Sequence, residues 1–472
     1  DGMLVLKSAG RVALELDGVN LTSKEGAPLW LKNKKRVEIV AVDGTNNSLT
    51  VEACQDTANY KAAVIFVKEN AKLSGKGTLN VIAEGKGCKG ITTKGDLTID
   101  DLTLNVETKG DNWNSSRGKF GGMGGFGGFG GGDGEGGFGG FGGFGGGFPG
   151  FGGGEFNPDS IPDFGGGFPG FGGGFGGFGG PEGEGGFGGF GGFGGFGGEG
   201  GTIPPFGGGS YAPGIGVNRP DNFGGDITIN SGNITVKTAF HGGEGLESKQ
   251  VLTINGGNID IDVIDDGINC AKQIVVNGGK IITRSSTNDA IDCNGNKEAL
   301  IFNGGTIYAW SSTGSPEEGI DSDFVPIQIN GGRIFSMGGG MMGDEPSKPN
   351  NETSKQPSIL LVGLEMQEGV LVEVYEGTAE KLGKKIDSFK APFNLARCSS
   401  LISYPEFKVG NSYVVKIGDK TEEFTLNENY NTNAKEGNRG GFGGGWGGFG
   451  GGFGGFGGPD GDRGPRGGDR GP

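Results

Sequence analysis

The sequence predicts an all-β fold whose main part is a parallel β-helix, a solenoid of stacked coils. The first observation is a repeat between Leu252 and Phe335, in which Asn-Gly-Gly recurs with its asparagine at positions 255, 277, 303 and 330. The second is that short alternating strands flank each Asn-Gly-Gly, which is the pattern of half-buried β-strands. The third is the period of 22 to 27 residues. This period is typical of solenoid coils, which bury their apolar faces only by stacking.

The first coils are predicted in residues 1–117, where the same pattern is present but less regular. Lys72–Ile82 and Asp96–Val106 each read as strand, tight turn and strand. The longest apolar run, Ala62–Val67, is predicted to be one buried strand. Irregular coils at the end of a solenoid are typical of capping repeats. The regular coils, which carry a ladder of acidic residues, are predicted in residues 226–343.

Residues 118–225 are predicted to be an insertion built largely from Phe-Gly-Gly, and glycine makes up 113 of the 472 residues. One interpretation is disorder, because glycine loses the most conformational entropy on ordering. The other is a set of polyglycine rods resembling polyproline II, whose three residues per turn place every phenylalanine on one edge. Residues 435–472 add a further tract and a charged tail. That tract would complete the rod layer of its own subunit or, by exchange, that of a neighbouring copy, and exchange would give a homo-oligomer or an open filament.

A small β module is predicted in residues 358–434, after a linker at 344–357 that is rich in Pro, Ser, Asn and Lys. Its strands are predicted near Ile359, Val370 and Tyr413. The last of them is expected to turn back as a hairpin at Gly418–Asp419.

Charge and composition limit the partners. The formal net charge of −16 argues against nucleic acid, because phosphate binding needs a basic face. No run approaches the roughly 20 apolar residues of a membrane span. The chain begins at Asp1 rather than Met. We interpret it as a mature product without its signal peptide, and therefore as an extracellular protein, secreted or held at the cell surface.

The coils, taken in order, resemble the secreted bacterial carbohydrate-binding β-helix family, whose members are similar to pectate lyases without the catalytic apparatus. The resemblance rests on Leu14–Ser23, Val42–Thr50, Gly90–Ile99 and the Asn-Gly-Gly coils. It covers residues 4–335 without the insertion, and the β module more weakly. The resemblance implies a right-handed parallel β-helix, bound calcium, and binding of acidic or cellulosic plant polysaccharide.

Alignment of the coils places acidic residues in two columns. The first column contains Glu244, Asp266, Asp289 and Glu318, and the second contains Glu247, Asn269, Asp292 and Asp321. Neighbouring coils lie about 4.8 Å apart, and carboxylates at that spacing repel unless a cation joins them. Because Ca²⁺ takes six to eight oxygen ligands, we predict a calcium site. Its ligands would come from Glu244, Glu247, Asp265, Asp266, Asp289, Asp292, Glu318 and Asp321, with Glu317 and Asp323 able to complete the shell. The alternative is a solvated acidic corner.

Cys270 and Cys293 share one column of this alignment with Ser248 and Ser322. The pattern favours a buried ladder of small residues. A disulfide between adjacent coils is the alternative in an oxidising compartment. No partner is predicted for Cys54, Cys88 or Cys398.

Catalysis is not predicted, because no acid and base pair stands out. The single histidine, His241, is interpreted as a loop residue, and Arg284 and Arg333 as exposed strand residues. The predicted function is an extracellular calcium-binding protein that binds polysaccharide, self-assembles on the cell surface, or does both. The alternatives are a filament or matrix protein assembled through the Phe-Gly-Gly tracts, and a polysaccharide lyase.

Overall fold

The structure, a computed structural model, describes residues 2–54, 62–85, 87–109, 214–217, 225–239, 243–297, 300–314, 317–339 and 347–434. These residues contain thirty-four strands, numbered along the chain, and they form four sheets. No helix of the described residues is long and apolar enough to cross a membrane. The predicted all-β class with parallel sheets is confirmed.

The first twenty-seven of these strands pass through three parallel sheets in rotation, so that every third strand returns to the same sheet. The first sheet contains β1 (Leu4–Ser8), β4 (Leu29–Asn33), β7 (Ala63–Val67), β10 (Lys89–Thr93), β13 (Ile215–Val217), β16 (Leu246–Ser248), β19 (Ile268–Cys270), β22 (Ile291–Cys293) and β25 (Asp321–Ser322). The second contains β2 (Val12–Leu16), β5 (Val37–Ala41), β8 (Ala71–Gly75), β11 (Leu97–Ile99), β14 (Ile227–Ile229), β17 (Val251–Ile254), β20 (Gln273–Val276), β23 (Ile301–Phe302) and β26 (Gln328–Ile329).

The third sheet begins with β3 (Asn20–Glu25), β6 (Asn46–Ala53), β9 (Thr78–Ala83), β12 (Thr103–Thr108), β15 (Asn233–Thr238), β18 (Asn258–Val263), β21 (Lys280–Ser285), β24 (Thr306–Gly314) and β27 (Arg333–Gly339). We call each set of three consecutive strands, one in each sheet, a coil. Strand β13 falls within the residues predicted as insertion, and it pairs with β10 and β16.

The core lies between the three sheets, because alternate residues of each strand point inward and meet equivalent residues of the next coil. On the third sheet Ile259, Ile281, Ile307 and Ile334 are successive direct partners, and all four are fully buried. Burial of one such side chain contributes about 1.5–3 kcal/mol. The predicted buried strand in Ala62–Val67 is confirmed as β7, whose five residues are all buried.

The Asn-Gly-Gly motif forms the corner between the second and third sheets. Each asparagine side-chain NH₂ group donates a 2.8 Å hydrogen bond to the side-chain oxygen of the asparagine one coil earlier. The four donors are Asn255, Asn277, Asn303 and Asn330. A Cβ on the first glycine, Gly278, would lie 2.8 Å from the Asn255 carbonyl oxygen. The second glycine, Gly279, has a φ of +90°, which residues with a Cβ rarely adopt. The two glycines therefore allow the coils to stack closely at this corner.

The C-terminal residues extend the third sheet and add a fourth. After β27 the third sheet continues with β31 (Leu395–Ser403), β28 (Ser358–Met366) and β34 (Tyr430–Thr432). The fourth, antiparallel sheet contains β30 (Leu382–Lys390), β29 (Leu371–Gly377), β32 (Ser412–Ile417) and β33 (Lys420–Thr425). The predicted hairpin is present, since Ile417 pairs with Lys420 across the turn.

An aromatic cluster joins this module to the last coils. Phe389 packs against Phe335 and Trp310, with ring centroids 4.6 and 5.3 Å apart. The hydroxyl groups of Tyr308 and Tyr404 donate hydrogen bonds to the same oxygen, Asp387 Oδ2, at 2.9 and 2.8 Å respectively. The module therefore covers the outer face of the third sheet at its C-terminal end.

Both arginines that were predicted as exposed strand residues are half-buried and paired, which corrects that prediction. Arg284 forms a 2.6 Å ion pair with Asp260. Arg333 forms a 3.0 Å ion pair with Glu406 and donates to the Ile386 carbonyl oxygen at 2.6 Å. The acidic partners come from a neighbouring coil and from the module, and neither contact can be read from strand alternation.

Two of the described cysteines form a disulfide that was not predicted, and two others lie in the predicted buried column. Cys54 and Cys88, for which no partner was predicted, form a disulfide. They lie in the irregular first coils, where no repeat register shows which positions meet. Cys270 and Cys293 are free and buried, and they are direct partners in a buried column with Ser248 and Ser322. The interpretation as a ladder of small residues is therefore confirmed.

Several predictions concern residues outside those that the structure describes. They are the Phe-Gly-Gly tracts of 118–225 and 435–472, the choice between disorder and rods, exchange between copies, and the loop position of His241. They stay predictions.

Candidate functional site

The second acidic column lies on the last four strands of the first sheet, β16, β19, β22 and β25, and the first column lies in the segments that lead into them. Direct strand pairing places Glu247, Asn269, Asp292 and Asp321 in successive coils. Backbone hydrogen bonds fix the register of the first column, which contains Glu244, Asp266, Asp289 and Glu318. Gly245 N–H donates to the Asp266 carbonyl oxygen at 2.9 Å, and Gly267 N–H donates to the Asp289 carbonyl oxygen at 3.1 Å. The structure thus places both columns in the register that the Asn-Gly-Gly repeat predicts.

Three carboxylates of these columns converge. One oxygen each of Asp266, Asp289 and Asp292 lies within 4.8 Å of the other two. The three residues are only 3%, 3% and 8% exposed. We call them the aspartate cluster. Because one residue comes from one coil and two from the next, the cluster depends on the stacking of coils and not on any single repeat.

Hydrogen-bond donors orient the cluster without neutralising it. The Asn269 amide donates to Asp266 Oδ2 at 2.7 Å and to Asp292 Oδ2 at 2.9 Å. Asn294 donates to the same Asp292 oxygen at 2.6 Å, and the backbone N–H of Glu318 donates to Asp289 Oδ1. Within the described residues, no salt bridge reaches any of the three aspartates.

Burial and mutual repulsion make the ionised cluster unfavourable. Burial raises the pKa of Asp292 well above its ordinary value, and the charge of Asp321 raises it further. The pKa of Asp266 is raised by burial and then by Asp292, and that of Asp289 by burial and then by Asp266. Three buried carboxylates at this distance need protons or a cation, because an uncompensated buried charge is strongly destabilising.

One coil towards the N-terminus, the acidic pair Glu244 and Glu247 has a lysine beside it. Lys249 Nζ forms an ion pair with Glu247 Oε1, and Glu247 is fully buried. Burial alone would lower the pKa of Lys249, but the charges of Glu247 and Glu244 outweigh burial and raise it. Glu244 Oε2 and Glu247 Oε2 have no hydrogen-bond partner among the described residues. Burial and the charge of Glu247 raise the pKa of Glu244.

The other predicted ligands lie around the aspartate cluster and outside its 4.8 Å group. Asp265 accepts a 2.9 Å hydrogen bond from Asn288, and Asp321 accepts one from Ser347. Burial, followed by the charge of Asp321, raises the pKa of Glu317 to about 7 and that of Asp323 to about 6. Glu318 contributes its backbone N–H to the cluster.

Two contacts of the acidic site were not predicted from the sequence. Asn269 was aligned in the acidic column, but its role as a bridge between two aspartates was not predicted. Lys249 was not considered, although it follows Glu247 by two residues, and side chains two apart on an extended segment share a face. That spacing was the available signal.

Comparison with known proteins gives a partial match. A family described as carbohydrate-binding domain-containing proteins matches residues 1–116 and 218–290. A carbohydrate-binding domain-containing protein of Acetivibrio thermocellus is 35% identical over 100 residues, which cover 20% of this chain and 34% of that protein. This chain therefore spans about a third of the length of that relative. No solved structure matches. The matched residues include Asp266 and Asp289 and end before Asp292.

Proposed function

We propose that this protein is an extracellular, non-catalytic protein that binds calcium and polysaccharide on a right-handed parallel β-helix. Rotation of the chain through three parallel sheets supports the β-helix. The partial match to carbohydrate-binding domain-containing proteins supports polysaccharide as the ligand. The Cys54–Cys88 disulfide supports an oxidising, extracellular compartment.

The aspartate cluster is the observation that carries the calcium proposal. Its three oxygens lie within 4.8 Å of one another, so a point between them lies at most about 2.8 Å from each. That is close to the Ca–O distance of about 2.3–2.6 Å, and a small inward shift of the carboxylates would let one ion contact all three. All the possible ligand atoms of the cluster are oxygens. This favours calcium over zinc, because zinc sites usually include histidine or cysteine ligands. Asp266, Asp289 and Asp292 would hold the ion, and Asn269 and Asn294 would orient their carboxylates.

Calcium also bears on the choice of polysaccharide. A chain with a net charge of −16 repels an acidic polysaccharide, and a bound divalent cation offsets that repulsion locally. The carboxylates of the first sheet would then hold the calcium ion, and the sugar would supply the remaining oxygen ligands. The proposed ligand is therefore acidic or cellulosic polysaccharide, with calcium dependence expected for the acidic class.

Two contacts support a non-catalytic role. A lyase of this kind of fold would need a base beside calcium, and Arg284 and Arg333 were the arginine candidates. Arg284 pairs with Asp260 and Arg333 pairs with Glu406. Both guanidinium groups are therefore committed to structural ion pairs.

Sedimentation with insoluble polygalacturonate and with cellulose tests the proposal. We expect binding to polygalacturonate in calcium that chelator abolishes, and weaker binding for Asp289→Asn. The matched control, Asp43→Asn, changes an exposed aspartate far from the cluster and should bind like the wild type. Absence of binding to both polysaccharides in calcium would overturn the proposal, and release of unsaturated uronides would overturn its non-catalytic part.

A further inference from the structure

Phe324 is an exposed aromatic side chain at the edge of the acidic site. It is 49% exposed. The other exposed large hydrophobic residues of the described part of the chain are not aromatic, and they lie at the N-terminus, on or just before β1, or in the C-terminal module: Met3, Leu4, Val5, Leu371, Leu382 and Val409. Single exposed apolar residues are common, so exposure alone does not assign a role to Phe324.

The repeat shows that the corner does not need an aromatic residue. Ser248, Cys270, Cys293 and Ser322 are direct partners, and the residues two positions later are Gln250, Lys272, Gly295 and Phe324. Three of these four are polar or glycine.

A hydrogen bond from the residue two positions earlier stabilises the turn. Ser322 Oγ donates to the Val325 carbonyl oxygen at 2.5 Å, and Cys270 Sγ donates to the Gln273 carbonyl oxygen at 3.0 Å. Since the same turn forms with Lys272 at its corner, the fold does not account for Phe324.

The neighbouring residue belongs to the acidic site. The Asp323 backbone N–H donates to the Cys293 carbonyl oxygen at 3.3 Å, which continues the ladder of the first sheet. Strand pairing places Asp321 directly beside Asp292 of the aspartate cluster, and Ser322 beside Cys293. Phe324 therefore follows three residues after the direct partner of a cluster residue.

We propose that Phe324 is a sugar-contact residue that selects an acidic polysaccharide. Its ring would pack against the C–H face of a uronic acid ring, while the carboxylate of the sugar binds calcium at the aspartate cluster. This inference rests on the proposed function. The acidic class follows from the surroundings: a neutral glucan would meet one exposed aromatic ring among carboxylates, whereas a uronate chain uses both the ring and the calcium.

Titration calorimetry with galacturonate oligosaccharides in calcium tests this inference. We expect Phe324→Ala to weaken binding by roughly tenfold, the upper end for a single aromatic contact, and Phe324→Tyr to retain binding. Leu371→Ala, which removes a similarly exposed side chain of the module (45% exposed), should bind like the wild type. The calcium-induced rise in melting temperature should be unchanged in Phe324→Ala.

The outcomes separate the two proposals. Equal affinity of Phe324→Ala and wild type for the uronate would overturn the role of Phe324 and leave the proposed function intact. Binding of cello-oligosaccharides that depends on Phe324 but not on calcium would overturn the acidic class. Failure of the wild type to bind any oligosaccharide would overturn the proposed function, and this inference with it.

Discussion

Replacement of Asp289 by asparagine should make the protein more stable without calcium and less responsive to calcium. Asp289 is 3% exposed, and one of its oxygens accepts from the Glu318 backbone N–H. An asparagine can keep that hydrogen bond through its own oxygen. Its NH₂ group would then replace a negatively charged oxygen near Asp266 and Asp292, so that the repulsion within the cluster falls.

Replacement of a buried ion pair by hydrophobic residues of similar volume is neutral or stabilises proteins by up to about 1–4 kcal/mol. Asp289→Asn removes one of three like charges rather than an ion pair, and we expect a gain in the lower part of that range in chelator. Calcium at 100 times its dissociation constant stabilises the wild type by about 2.7 kcal/mol. That corresponds to about 5–10 °C in melting temperature for a large domain. Each tenfold loss of calcium affinity in the variant removes about 1.4 kcal/mol of this increment.

Differential scanning calorimetry at pH 7.5, with chelator and with calcium, measures both effects. We expect a higher melting temperature for Asp289→Asn than for wild type in chelator, and a smaller rise on adding calcium. Asp43→Asn should match the wild type in both buffers. The interpretation would be wrong if the variant were less stable than wild type in chelator and its melting temperature rose as much as that of the wild type on adding calcium. The cluster would then not be a calcium site whose negative charges are uncompensated in the absence of the ion.

Three further predictions follow from the same contacts. Lys249→Met leaves the fully buried Glu247 without its ion-pair partner and should cost about 3–5 kcal/mol in chemical denaturation. Exposed Lys34→Met is the control, and equal losses for both would contradict the pairing. Gly279→Ala, with φ +90° and a Cβ 2.8 Å from Gly257 O, should cost about 1–3 kcal/mol. Gly10→Ala, with nothing within 4 Å of its Cβ, should cost much less. In chelator, the free energy of unfolding should fall as pH rises from about 4 to 7. In the folded protein the pKa values of Asp323 and Glu317 are raised to about 6 and 7. The folded chain therefore keeps protons in this range that the unfolded chain has already released. Calcium should flatten that slope, and a stability that rises with pH in chelator would contradict it.

The regular coils could be predicted from the sequence because register in a stack propagates. Once Asn255 and Asn277 are aligned, Glu247 must pair with Asn269, and the acidic columns follow. The convergence of Asp266, Asp289 and Asp292 was within reach for the same reason.

Contacts outside that register could not be predicted. Cys54 and Cys88 lie 34 residues apart in coils without a fixed period. Strand β30 is exposed over most of its length, so Leu382–Lys390 shows no clean apolar alternation. The pairing of Arg333 with Glu406 depends on how the module docks, which no local pattern in either segment encodes.

Equilibrium dialysis with calcium tests the central claim most directly. The wild type and the triple variant Asp266→Asn, Asp289→Asn, Asp292→Asn would be compared after chelator treatment, with circular dichroism to show that the sheets are retained. We expect bound calcium in the wild type and at least one ion fewer per chain in the variant. A wild type that binds no calcium, or a folded variant that binds as many ions, would contradict the assignment of calcium to the aspartate cluster.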